Sequence, residues 1–355
     1  MAEMKAISTV TILALVASAP ATPSRRTPVQ PSAVLATPTD AVSAVLDAFA
    51  EHRVVALGEG PHGNEQGHAF RMKLIQDPRF AERVNDILVE FGSGKYQSLM
   101  DRFVQGDLIA RDDLKRTWQD TTASGTVWDR PIYEEFFQTV RAVNLSLPKD
   151  RQLRVLLGDA PIDWSLVHSH AALRRWGMQK DAHAAALIKN EVLAKGRRAL
   201  VIFGDGHLQG RPFAIREVTR KRGLTNKLEA EPHRTRVFTI SSKFADLSRW
   251  QVDAGSWPVP SIAKIRGTPI GQQFFASFYP IPPEPGWNTT RLQDHFDAVL
   301  YLGAPGTMSM SRFPTSLCHD PIYMKMRLGR MQVEDIRIRQ PTIDELKALC
   351  AGAEQ

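Results

Sequence analysis

Cysteine is nearly absent from this 355-residue chain, where Cys318 and Cys350 are the only two. That scarcity excludes a disulfide-dense miniature fold and every Cys-x-x-Cys metal or redox motif. No His-x-x-x-His pair occurs, so spacing alone defines no metal site. The Gly-x-Ser-x-Gly elbow is missing, which leaves a serine hydrolase of that type without its nucleophile. Gly204-Asp205-Gly206-His207-Leu208-Gln209-Gly210 is glycine-rich but lacks the Gly-Lys-Ser/Thr of a phosphate-binding loop. No apolar run approaches the roughly 20 residues a membrane-crossing helix needs.

The net charge of +7 is mildly basic, yet Lys and Arg are scattered instead of forming a stripe with interleaved aromatics. A nucleic-acid partner is therefore not expected, and a small molecule is. The densest basic run, Arg216, Arg220, Lys221 and Arg222, reads as a solvated helix end. Lys5, the apolar stretch 6–17 and Ala19-Pro20-Ala21 together read as a signal peptide over 1–21, implying export to the periplasm or beyond. No cysteine precedes Cys318, which argues against a lipid anchor beside that signal. One disulfide stapling the tail and two unrelated thiols are both open readings of Cys318 and Cys350. Asn144-Leu145-Ser146 and Asn288-Thr289-Thr290 match the glycosylation acceptor pattern. Oligomeric state has no signature here.

With 43% hydrophobic residues the chain can bury a sizeable core. Residues 22–39, rich in Pro, Ser, Thr and Ala, read as a flexible leader. Asp40 is placed to cap a helix through Val42, Val45, Leu46 and Phe49. Apolar runs then predict strands at 54–58, 84–91, 153–157, 199–203, 237–241 and 296–302. Helices are expected at about 64–76, 166–173, 182–193 and 212–222. Unbroken apolar strands alternating with helices are the mark of a mostly parallel central sheet flanked by helices on both faces. The chain is thus read as an α/β core domain over 40–306, with two insertions and a tail. A helical insertion at about 107–150 carries Trp118, Trp128, Tyr133, Phe136 and Phe137, read as core that caps one side of a pocket. A Pro- and Gly-rich insertion is expected at about 254–287, and a tail with one helix, 343–350, over 307–355.

Chemistry gathers where the strands end. Glu59 and His62 follow the first, Glu90 the second, Asp159 the third, and Asp205 with His207 the fourth. In a parallel sheet these side chains share one edge, where ligands bind in open α/β folds. Charged groups there cost desolvation unless they are paired or used. A neutral His62 beside Glu59 or Glu90 suits a general base, because imidazole titrates near working pH. Arg71 can pair with an anionic substrate or clamp Glu90, and His207 can act as general acid or polarise a carbonyl. Asp159 and Asp205 are candidates for substrate binding, although Asp159 also suits a helix cap. A second assembly is a divalent cation held by His62, His207, Glu59 and Asp205. His68, His168, His170, His183, His233, His295 and His319 read as surface or packing residues.

Ala56-Leu57-Gly58-Glu59-Gly60-Pro61-His62-Gly63 resembles the strand-ending Leu-Gly-Glu-x-x-His-Gly signature of the erythromycin esterase family. Arg71 falls at the spacing of that family's helix arginine, and Glu90 at its second-strand acid. Leu157-Gly158-Asp159 resembles its third-strand ending, and Phe296-Asp297-Ala298-Val299-Leu300-Tyr301 its closing strand. The resemblance covers about 40–305. It implies an α/β fold shared with ChaN-like and TraB/Tiki-type proteins, and a His62 base activating water against an ester or lactone, with Glu59, Arg71 and Glu90 around it. The esterases carry two histidines in the fourth-strand turn. Here only the second is present, as His207, and Gly204 takes the place of the first. That turn is closer to the ChaN-like and TraB/Tiki form. The preferred reading is an exported hydrolase for an ester, lactone or amide that requires no cofactor; the alternative is a non-catalytic haem- or metal-binding protein.

Overall fold

Each predicted strand forms, and each is covered on both sides. The computed structural model describes residues 35–210, 223–230, 235–242, 256–278 and 290–351, plus the backbone of 213–215 and 218–220. The expected signal at 1–21, most of the leader, and Asn288 lie outside the described residues. Asp40 caps helix α1 (Ala41–Glu51) by accepting from Ser43 N at 2.8 Å. Strand β2 (Val54–Glu59) follows, after a two-residue strand β1 (Thr39–Asp40) that precedes α1. Asn64 caps α2 (Glu65–Gln76) through Gly67 N at 2.7 Å. Then come β3 (Asp86–Ser93), helix α3 of the insertion (Pro131–Leu145), β4 (Arg154–Asp159), α4 (His170–Leu187) and β5 (Ala199–Gly204). Strands β6 (Val237–Ser241), β7 (Ser261–Lys264) and β8 (Ala298–Tyr301) complete the sheet.

The sheet has eight strands in the order β1-β7-β8-β6-β2-β5-β3-β4. All pairings are parallel except those of β7 with β8 and with β1. Alternate residues of β2 enter two separate cores: Val55 and Leu57 pack with α1, α2 and the insertion, whereas Val54 and Ala56 pack with the end of α4. This two-sided burial explains the lack of polar alternation in the strand sequences.

Several elements depart from expectation. Strand β3 runs on past Glu90 to Ser93, with its register against β4 broken between Val89 and Ser93. Such an irregularity changes the direction in which the strand-end side chains point. The helices expected at 166–173 and 182–193 are one helix, α4, whose start is set by Ser169 accepting from Ala172 N. Residues expected as a helix at 212–222 instead contain an antiparallel ribbon, Phe213–Ile215 with Val218–Arg220, where β-branched Ile215, Val218 and Thr219 favour strand over helix. Arg220 of the basic run is thus a strand residue, and Arg216, Lys221 and Arg222 lie outside the described residues. The 254–287 segment supplies β7, where Ile262 and Ala263 bury on opposite faces.

The tail holds two helices, α5 (Pro321–Met331) and α6 (Ile336–Ala351), not one. Asp320 followed by Pro321 is a helix start, and Pro341 inside α6 hides that helix from a sequence reading. Cys318 and Cys350 are disulfide-bonded, closing the tail around Tyr323, Met331, Ile343 and Leu346. Asn144 is fully buried and donates to Val104 O and Leu153 O, so it is no glycan acceptor. Among the described residues no helix is long and apolar enough to cross a membrane.

Candidate active site

Register brings the chemistry together. Glu59 pairs with Gly204 across β2 and β5, and β3 with β4 lie immediately beyond. Glu59 is 2% exposed and fully engaged. Its Oε2 lies 2.9 Å from His62 Nδ1, and its Oε1 accepts from Arg71 NH2 and the Tyr133 hydroxyl, each at 3.2 Å. Arg71 therefore clamps Glu59, not Glu90. The His62 ring is about one-third exposed and packs edge-on against Trp128 at 4.6 Å between centroids. Its Nε2 has no hydrogen-bond partner among the described residues. Partial burial opposes protonation of His62, but the hydrogen bond and charge of Glu59, helped by Glu90, outweigh it and raise the pKa.

The second half of the site is built on Glu90. Its Oε2 accepts from Gly204 N at 2.7 Å, while Oε1 lies 3.0 Å from Lys180 Nζ and 3.2 Å from His207 Nε2. Burial alone would lift the Glu90 pKa, yet Lys180 and His207 hold it well below the usual range. Lys180 also reaches Asp159 Oδ2 at 3.2 Å. Asp159 is fully buried and accepts from Thr122 N at 3.0 Å and Thr122 Oγ1 at 2.8 Å. Burial raises its pKa against the pull of Lys180. His207 is gripped at both ring nitrogens, by Glu90 and by Asp181 Oδ1 at 2.6 Å from Nδ1. Burial disfavours its charge, but the two carboxylates prevail and raise its pKa to about 10. His207 is an imidazolium at neutral pH.

The two halves meet over Gly204. A Cβ placed there would lie 3.2 Å from His62 Cε1 and 3.3 Å from Glu90 Oε2. Any larger residue would fill the space between the base and the acid. Glu59, His62 and Arg71 thus form one cluster and Glu90 and His207 a second, adjoining across Gly204, with Asp159 behind the second. Asp205 is placed apart: it packs across Gly58 and accepts from Ser241 Oγ at the end of β6. The sequence gives no sign of Lys180, Asp181 or Thr122, and it marks Trp128 and Tyr133 only as core capping one side of a pocket. Charges in the middle of α4 and aromatics in the insertion look like a solvated face and plain core until the tertiary structure turns them inward.

The donor set does not suit a metal ion. Lys180 occupies the cation position between Glu90 and Asp159, and a doubly hydrogen-bonded imidazolium at His207 has no lone pair to give. Among the described residues no group of three or more His, Cys, Asp or Glu is arranged to hold a metal. His62 Nε2 is the one ring nitrogen of the two histidines without a partner among the described residues.

No protein-family model matches the chain, and no curated protein matches it in sequence. Solved structures do share its fold. A succinoglycan biosynthesis protein superposes with a TM-score of 0.53 at 9% identity, covering 79% of this chain and 96% of that one. An erythromycin esterase variant, EreC in its open conformation, gives 0.47 at 11% identity over 76% and 94%. Haem-binding ChaN of Campylobacter jejuni gives 0.41 at 12% over 73% and 90%. The protein has the α/β fold, with a mostly parallel sheet between helical layers, that the sequence resemblance to erythromycin esterase- and ChaN-like proteins implies.

Proposed function

We propose that this protein hydrolyses an ester, lactone or amide, with His62 as general base. The observation that carries the reading is the Glu59–His62 dyad: a buried carboxylate holds Nδ1 and leaves Nε2 unpartnered in a partly exposed ring. Glu59 is itself fixed by Arg71 and Tyr133, which sets the tautomer and orientation of the ring. His62 Nε2 takes a proton from water as the water oxygen bonds to the substrate carbonyl carbon. Charge then develops on the carbonyl oxygen. His207 supplies a fixed positive charge beside it, and its 3.2 Å contact with Glu90 is the looser of two and the one a substrate oxygen could take over. On collapse, His62 returns the proton to the leaving oxygen or nitrogen, so no net proton is gained or lost.

The test is a panel of chromogenic esters, lactones and anilides with the wild-type protein and His62→Ala. The variant should keep its far-ultraviolet circular dichroism and lose about 10²–10⁴-fold in kcat/KM. Turnover at the wild-type rate in His62→Ala rejects the mechanism. Export belongs to the same proposal, supported by the signal-like 1–21 and the Cys318–Cys350 disulfide, a bond that persists in oxidising compartments. A fusion of residues 1–40 to alkaline phosphatase should be active only if those residues direct translocation.

A further inference from the structure

A cleft of about 590 Å³ opens behind His207. Its wall includes Asp181, the carboxylate on His207 Nδ1, and Thr122, which holds Asp159. Gly223, where a Cβ would come within 2.8 Å of the His207 carbonyl oxygen, ties the opposite wall to the same histidine. The volume is that of an ordinary small-molecule pocket. Two carboxylates line it, and both are engaged: Asp181 with the imidazolium, Glu334 by accepting from Ser124 Oγ at 2.6 Å. Two cations line it as well, Arg174 and Lys227, and among the described residues neither has an ion-pair or hydrogen-bond partner. His170 contributes a ring whose Nδ1 also lacks a partner, at the N-terminus of the 18-residue helix α4. The positive end of that helix dipole adds to the same field.

Asp181 is balanced by the imidazolium, so Arg174 and Lys227 outnumber the one remaining carboxylate, Glu334, and the lining keeps a net positive charge that selects for an anion. We propose that this cleft is the substrate-binding pocket and that it takes an anionic group, so that the preferred substrate is an ester or amide whose acyl arm ends in a carboxylate. The proposal rests on the hydrolytic reading of His62 and His207. Arg174 and Lys227 bind the anion, while Leu173 and Met178 line the path for the methylenes of the arm. The arm then leads toward His207, whose Nδ1 partner Asp181 stands in the cleft wall.

The experiment compares para-nitrophenyl hemisuccinate, hemiglutarate and hemiadipate with the neutral butyrate, on the full chain and on Arg174→Gln/Lys227→Gln. One half-ester should exceed butyrate in kcat/KM by about tenfold or more. The double variant should lose that preference, and added salt should erode it in the wild type. A calorimetric arm measures binding of N-phenylsuccinamate against N-phenylbutyramide to the His62→Ala protein, which needs no turnover. Preference for the anion there, reduced about tenfold by the double substitution, supports the cleft assignment. Equal affinity for the two amides, or an anion preference that survives in the double variant, overturns it. Should His62→Ala retain wild-type turnover, hydrolysis through His62 fails while the calorimetric result still decides the pocket.

Discussion

His62 and His207 make opposite demands on pH. In the proposed mechanism His62 must be neutral to accept a proton, and its pKa lies above the ordinary histidine value, so kcat/KM should rise through an acid limb above pH 6.5. The imidazolium must stay charged, and Glu90 and Asp181 keep it so to about pH 10. A bell with its plateau on the alkaline side of neutral is the expected profile. Replacing His207 by Gln should remove the alkaline limb together with most of the rate; an unchanged limb would assign that ionisation elsewhere. The same shift bears on stability. The folded-state pKa of His207 exceeds its unfolded value near 6.5, so its stabilisation is complete below pH 6.5 and is lost as pH climbs to about 10. The urea midpoint should fall across that window in the wild type and fall less in His207→Gln.

Strand ends show why two glycines are not equivalent. At Gly58 a Cβ would sit 1.7 Å from Asp205 Oδ1 and 3.0 Å from the Ile240 carbonyl, which belongs to the backbone of β6. Gly58→Ala should cost at least about 2 kcal/mol in chemical denaturation, since a sheet backbone cannot move aside cheaply. At Gly204 the nearest atoms are side-chain atoms of His62 and Glu90. Gly204→Ala should leave stability within about 1 kcal/mol and lower kcat by about tenfold or more by displacing the ring. Both glycines stand in apolar runs whose strand character was legible, as were the cap at Asp40 and the acids at the strand ends. Lys180 and Asp181 were not legible, because Gln179-Lys180-Asp181-Ala182-His183 reads as an exposed helical face. Only the packing of α4 against β4 turns Lys180 toward two buried carboxylates. The sequence gives no sign of strand β7, because four residues set among prolines and glycines carry too short a pattern to separate from loop. The clamp on Glu59 was assigned to the wrong acid for a related reason: spacing along α2 places Arg71 in the neighbourhood but cannot choose between β2 and β3.

At the scale of the whole molecule, the tail is tied to the side of the core that carries the Glu59–His62 pair. Arg327, itself buried, donates to Asp129 at 2.7 Å, and the Tyr323 hydroxyl donates to the other oxygen of that carboxylate. Asp129 follows Trp128, the indole against which His62 packs. Arg330 NH1 donates to the Gln119 carbonyl, and Arg330 NH2 pairs with Asp120. The helices that make these contacts are closed on themselves by Cys318–Cys350, a loop with a sequence separation of 32. Cross-linking a loop of that length stabilises by about 3–4 kcal/mol on the chain-entropy account. Because Arg327 would leave Asp129 as an unpaired buried charge if it withdrew, loosening the tail cannot be confined to the tail. The Cys318→Ser/Cys350→Ser protein should therefore unfold in a single transition at lower denaturant, with loss of hydrolysis following the same curve as loss of near-ultraviolet circular dichroism. Arg327→Met should reproduce the effect with the disulfide intact, at a cost of about 3–5 kcal/mol. Two separated transitions, with activity surviving the first, would show that the tail is an independent unit and that Trp128 holds its place against His62 without it.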